Sequence, residues 1–204
     1  MFALVEDGKI TQMPKGNKGI TIGDNQYPAS IYTLWTEAER NAIGIYTVEI
    51  DNTNRKDEAF YINTDVTYTF TGSAVTGSYG TATAKKLADE DAVDENGDKL
   101  KDADGNQVIN YGLKTFYKNK FNAEAAGLLA KTDWYVIKAA DVTSYSVPSN
   151  ITTYRAAVRT KVNEMETSID NCSDVDALIT LLTYKEQEDG SVTRPLGEFP
   201  KEVV

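Results

Sequence analysis

The side chains in this sequence best suited to chemistry are carboxylates, and they crowd into one stretch. Residues 88–106 carry eight acids against two lysines. Calcium binding is the first chemistry such a stretch suggests. An EF-hand loop needs an acid at its first position, glycine at its sixth and glutamate at its twelfth. Counting back from Gly97 puts Ala92 first and Ala103 twelfth, and counting back from Gly105 puts Leu100 first. Neither register supplies the ligands. Glycoside hydrolysis is the second, since it needs only a pair of carboxylates such as Asp89 and Asp91. Acids are so frequent here that any one pair follows from composition. The stretch also contains Asn96-Gly97 and Asp104-Gly105, both turn dipeptides. A solvated acidic loop or hairpin over 86–111 is therefore the expectation.

The rest of the catalytic repertoire is thin. The chain has no histidine, the commonest general base and transition-metal ligand. Ser-His-Asp and Cys-His arrangements are thereby excluded. Cys172 stands alone, so it builds neither an internal disulfide nor a zinc site, and it reads as a small buried hydrophobe. Neither GxGxxG nor GxxxxGK[ST] occurs. No catalytic, cofactor-binding or metal-binding residues are expected, and the protein reads as a non-enzyme. A formal charge of −10 repels phosphate backbones and anionic headgroups. Nucleic acid and membrane are thus not expected as partners. The apolar run in MFALVEDGKI is short and lacks a basic leader, unlike a signal peptide. No stretch approaches about 18 apolar residues, so a soluble protein is expected.

The surrounding elements follow from local signals. FALV and KITQM read as strands joined at Asp7-Gly8. Pro14–Gly19 reads as a loop, and ITI at 20–22 leads into a turn at Gly23-Asp24-Asn25. Thr36 and Glu39 have the spacing of a capping box, and Gly44 suits the residue past a helix end. Together they predict a short helix over about 36–43, with Trp35 packed beneath it. IYTVEI follows as a β-branched strand. AFYINTDVTYTFTGSAVTGSY predicts two or more antiparallel strands. Tyr32, Trp35, Tyr46, Tyr68 and Phe70 are assigned to packing, the commonest use of aromatics at strand positions.

Beyond the acidic stretch the pattern turns helical. Leu113, Tyr117, Phe121, Ala125 and Leu128 share one helix face. TDWYVIK reads as extended. Pro148-Ser149 opens a second helix with the stripe Ile151, Tyr154, Val158, Val162, Met165 and Ile169. Ser173 is expected to cap a last short helix, DVDALITLLTY. The tail, with Gly190, Pro195, Gly197 and Pro200, reads as an extended arm. No internal repeat of convincing period is expected. The organisation is then α+β: a β-rich domain at 1–85 with one short helix, an acidic loop or hairpin at 86–111, a helical module at 112–184 and an extended arm at 185–204.

Two stretches carry a resemblance. YPASIYTLWTEAERNAIGIYTVE resembles a segment of small bacteriophage tail proteins, with a YP dipeptide followed by W-[ST]-x-A-E-R-x-A-x-G-I-Y. AGLLAKTDWYVIKAADVTSYSVPSNITTYRAAVRTKVNEME is similar to the C-terminal module of tail-fibre assembly and tail-associated proteins. Its matching residues are Leu128, Leu129, Thr132, Asp133, Trp134, Pro148, Tyr154, Arg155 and Arg159. The two stretches span about a third of the chain. Those assembly proteins usually have a different N-terminal half. The resemblance implies a non-catalytic structural component of a phage tail, attached at the baseplate or fibre. Its partners would be other tail or fibre proteins. Homo-oligomers of three or a multiple of three follow by analogy with tail symmetry. Its location would be the virion tail, reached from the host cytoplasm during assembly. A tail-fibre assembly chaperone and a host-surface carbohydrate-binding module are the alternatives. Trp134, Tyr154, Arg155 and Arg159 are the candidate partner-binding residues. Tyr154 with the two arginines is equally readable as a core tyrosine beside two solvated charges.

Overall fold

Alternation is strict at the start of the chain, and it decides the first strand. In β1 (Phe2–Glu6), Phe2 and Leu4 join one apolar cluster while Ala3 and Val5 join another. In the computed structural model, which describes residues 1–203, β1 turns back through Asp7 and Gly8 into β2 (Lys9–Gln12). Both turn residues have positive φ (49° and 73°), the backbone that a two-residue hairpin with matching twist requires. Next come β3 (Ile20–Ile22) and β4 (Asn25–Tyr27), α1 (Ile31–Leu34), α2 (Glu37–Ala42) and β5 (Ile45–Asp51). Then follow β6 (Tyr61–Ile62), β7 (Val66–Phe70), β8 (Val75–Tyr79) and β9 (Thr83–Ala84).

The chain is α+β and divides into two compact units, Met1–Thr83 and the remainder from Ala84. The first unit is built on a sheet of order β2-β1-β5-β8-β7. Its edge strands β2 and β7 approach each other, so the sheet curls most of the way to a barrel. β7 and β8 are antiparallel, as TYTF and VTGSY suggest, but β5 and β8 pair in parallel, which no local signal announces. Leu4, Ile20, Ile31, Tyr32 and Ile45 form the cluster on one face, with Trp35 against it. Ala3, Val48 and Val75 form the other, flanked by Tyr46, Tyr68 and Phe70. The expected short helix is α2, capped at Thr36 by the reciprocal bonds with Glu39. Gly44 ends it at φ 82°, and a Cβ there would meet the Val5 carbonyl at 2.6 Å. α1 is a further helical turn that the sequence signals did not mark out.

The second unit opens with β10 (Glu90–Asp91), paired antiparallel to β11 (Ile109–Asn110). Between them the acidic stretch is ordered. Bridges Val93–Lys99 and Lys101–Gln107 close two more ladders. The three ladders radiate from Ala92, Leu100 and Val108, whose backbones form a ring: Leu100 N–H to Ala92 O at 2.8 Å, Val108 N–H to Leu100 O at 2.9 Å, and Ala92 N–H to Val108 O at 2.8 Å. The two outer arms repeat one turn geometry eight residues apart. In each, an aspartate (Asp94 or Asp102) accepts two main-chain N–H groups at 2.8–3.0 Å, and a glycine at φ 88° or 86° completes the turn. This is the three-residue hairpin loop with a glycine bulge.

Helices follow: α3 (Leu113–Ala130), α4 (Asp133–Asp141), α5 (Ser149–Asp170) and α6 (Val175–Leu182). α3 buries Leu113, Tyr117, Phe121 and Ala125, while Leu128 is only half-buried. α5 buries the whole predicted stripe and also Arg155. The two pack antiparallel, since Lys114 and Lys118 reach Asp170 (2.8 and 2.9 Å) at the far end of α5. Each fully buried large apolar side chain contributes about 1.5–3 kcal/mol relative to exposure. α6 is capped by Asp174, whose carboxylate accepts the Ala177 N–H at 2.8 Å. Ser173, the expected cap, instead donates to Asp174.

The tail does not run out as an extended arm. β12 (Lys185–Glu186) and β13 (Val192–Thr193) make a third glycine-bulge hairpin through Gly190. Beyond it Leu196 is buried, and its N–H donates to Leu181 O at 3.1 Å. The Arg194 guanidinium lies over the rings of Phe121 (5.2 Å) and Tyr184 (4.9 Å), and Glu202 pairs with Lys131. Among the described residues no helix is long and apolar enough to cross a membrane.

Candidate interaction site

A helix that ends leaves its last carbonyls without intrahelical partners. At the end of α3 Leu129 O accepts from the Thr132 N–H and hydroxyl, both at 3.0 Å, and from a side chain of α5. The Arg155 guanidinium donates to Leu129 O and to Thr132 Oγ1, each at 2.7 Å, and pairs with Asp133 Oδ1 at 2.8 Å. Thr132 and Arg155 are both buried polar side chains, at 4% and 9% exposure. Asp133 is the first residue of α4, where a negative charge meets the positive end of the helix dipole. One planar five-donor group thus holds the end of α3, the bend and the start of α4 together. Arg155 is therefore not a solvated charge.

That bend corrects the reading of TDWYVIK as extended: Asp133–Asp141 is helix. Nothing on α4 is buried. Trp134 is 51% exposed and Ile137 61%, with Val136 and Val142 also exposed. Trp134 lies against Tyr135, ring centroids 3.8 Å apart, and Lys138 stands 5.8 Å from the Trp134 ring and 4.4 Å from that of Tyr145. Trp134, Ile137, Lys138 and Asp141 follow i, i+3, i+4, i+7 spacing and so share one face.

The four candidate partner-binding residues take different places. Arg155 is the staple and Trp134 is solvent-facing. Tyr154 is core, with a buried hydroxyl that has no partner and whose pKa is raised by burial. Arg159 is exposed, with a long 3.5 Å contact to Arg155 O. Val136, Ile137 and Val142 were not singled out from the sequence. For Ile137 the signal is its helical spacing from Trp134, which TDWYVIK taken alone as an extended segment does not show, while Val142 lies just past the helix end and carries no such signal.

The carboxylates considered for chemistry have structural partners. Asp89 accepts the Gly112 N–H at 2.8 Å and the Thr115 hydroxyl at 2.9 Å, at the start of α3. Asp91 pairs with Lys99. Hydrogen bonds from main-chain N–H groups hold the pKa of Asp94 (first from Asp98) and of Asp102 (first from Asn106) below the ordinary value. Among the described residues no group of three or more acids or cysteines is placed to hold a metal ion. Comparison with protein-family models, curated proteins and solved structures finds no match.

Proposed function

We propose that this protein is a non-catalytic structural subunit of a bacteriophage tail, attached at the baseplate or fibre and joined to other tail proteins through α4. The observation that carries the reading is α4 itself. It displays Trp134, Val136 and Ile137 to solvent while Arg155 fixes its root. Trp134 and Ile137, three residues apart, share one helix face, and exposed apolar side chains grouped in this way mark interaction surfaces, with a tryptophan anchor typical of their centres. The residues behind the resemblance support the same reading. Leu129, Thr132, Asp133 and Arg155 bond to one another, an arrangement that sets a helix angle.

Mass spectrometry of purified particles tests this. A small fixed copy number relative to the major tail proteins is expected. Absence from particles, with recovery of the chain bound to a fibre protein from infected cells, would instead make it an assembly chaperone.

A further inference from the structure

The acidic arms contain a feature that neither the fold nor the proposed attachment explains. Asn96 is the one asparagine in the chain followed by glycine. Glycine offers no side chain to shield its own amide nitrogen, so this pairing lets that nitrogen reach the preceding side chain most easily. Asn96 is exposed, on the tip of the first arm.

The same position recurs twice. In the second arm it is Asp104, before Gly105. In the tail hairpin it is Asp189, before Gly190. All three glycines have nearly the same positive φ: 88°, 86° and 77°. All three donate their N–H back across the turn: Gly97 to Asp94 O at 3.1 Å, Gly105 to Asp102 O at 3.0 Å, Gly190 to Gln187 O at 3.0 Å. Only the first carries an amide where the others carry an acid.

The geometry points to Asn96 as a site of spontaneous deamidation, gated by Asp94. The Gly97 nitrogen attacks the Asn96 side-chain carbonyl carbon, forming a carbon–nitrogen bond. The Gly97 proton passes through solvent to the departing amide, which leaves as ammonia. Water then opens the five-membered imide. Opening at the side-chain carbonyl gives aspartate, and opening at the main-chain carbonyl gives isoaspartate. No oxidant or reductant is needed.

The gate is the turn. The nucleophile's N–H is held on Asp94 O. The Asp94 carboxylate also holds the N–H groups of Asn96 (2.8 Å) and Asp98 (2.9 Å). Reaction requires these bonds to open, so its rate reports on the arm. The two products differ in consequence. Aspartate reproduces the residue of the sister turns. Isoaspartate adds a main-chain methylene, which the Asp94–Asp98 closure at 2.9 Å cannot span unchanged.

The experiment is peptide mapping by mass spectrometry of the full chain aged in neutral buffer, beside Asp94→Ala and Asn96→Asp. Asn96 is expected to be the first asparagine converted. Asp94→Ala is expected to speed conversion roughly five- to thirtyfold, the population ratio set by one or two lost hydrogen bonds. Asn96→Asp is expected to keep the Gly97 amide as protected from hydrogen exchange as in the parent. Conversion elsewhere before Asn96, or equal rates with and without the Asp94 carboxylate, would overturn the proposal. Loss of Gly97 protection in Asn96→Asp would refute the equivalence of the three turns.

Discussion

Arg155 is the residue whose environment most exceeds what its neighbours in sequence suggest. Its side chain emerges from a stripe of apolar residues on α5, where a solvated arginine would be ordinary. Its worth lies in the hydrogen bonds to Leu129 O and Thr132 Oγ1, because Asp133 is half exposed and exposed ion pairs contribute little. Charged hydrogen bonds in buried settings are worth about 1.5–3 kcal/mol each, and part is recovered because Leu129 O also accepts from Thr132. Arg155→Met should therefore destabilise the chain by about 2–3 kcal/mol in urea-induced unfolding. Arg155→Lys should recover little of this, since an ammonium cannot fork across three acceptors. A change under about 0.5 kcal/mol for Arg155→Met, the size of an ordinary surface substitution, would mean the staple is decorative.

At the scale of elements, α4 and the acidic arms make separate claims. Trp134→Ala combined with Ile137→Ala removes side chains with half or more of their surface already in water. Unfolding midpoints should stay within the range of surface substitutions, about 0.5 kcal/mol, while incorporation into particles falls. Unchanged incorporation would remove α4 from the attachment surface. The arms answer to pH. Their Asp94 and Asp102 pKa values are lower folded than unfolded. Their contribution is thus fully present above the unfolded aspartate value, about 3.9, and is lost as pH falls through the lower folded values. Amide exchange at Gly97 and Gly105 should accelerate across that acidic window beyond its intrinsic pH dependence. If it tracks the intrinsic rate alone, the carboxylates do not hold the turns. These elements also mark what the sequence made legible. The capping box at Thr36 and Glu39 and the stripes of α3 and α5 were readable because cap spacing and helical period are local. α4 was not, because Trp-Tyr-Val-Ile has strand propensity and the staple that holds it in a helix lies some twenty residues further on. The repeated arms share little beyond an aspartate and a glycine per eight residues, too few identities to stand out against an acidic background.

Across the whole molecule, the least legible feature is the parallel pairing of β5 with β8, since contacts between distant segments leave no local trace. The division into two compact units carries an energetic claim. Ile45 lies wholly buried in the cluster with Leu4, Ile31 and Tyr32, and Met165 lies wholly buried on α5. Truncating a buried isoleucine or methionine to alanine costs about 2–5 kcal/mol. Where each unit has its own core, that loss stays within the unit that bears it, because local opening follows cooperative units of structure. Ile45→Ala should then speed amide exchange in β1 and β5 and leave α3 and α5 protected as before. Met165→Ala should do the reverse. Equal loss of protection in both units from either substitution would show that the chain unfolds as one body, with the break near Thr83 geometric and not energetic.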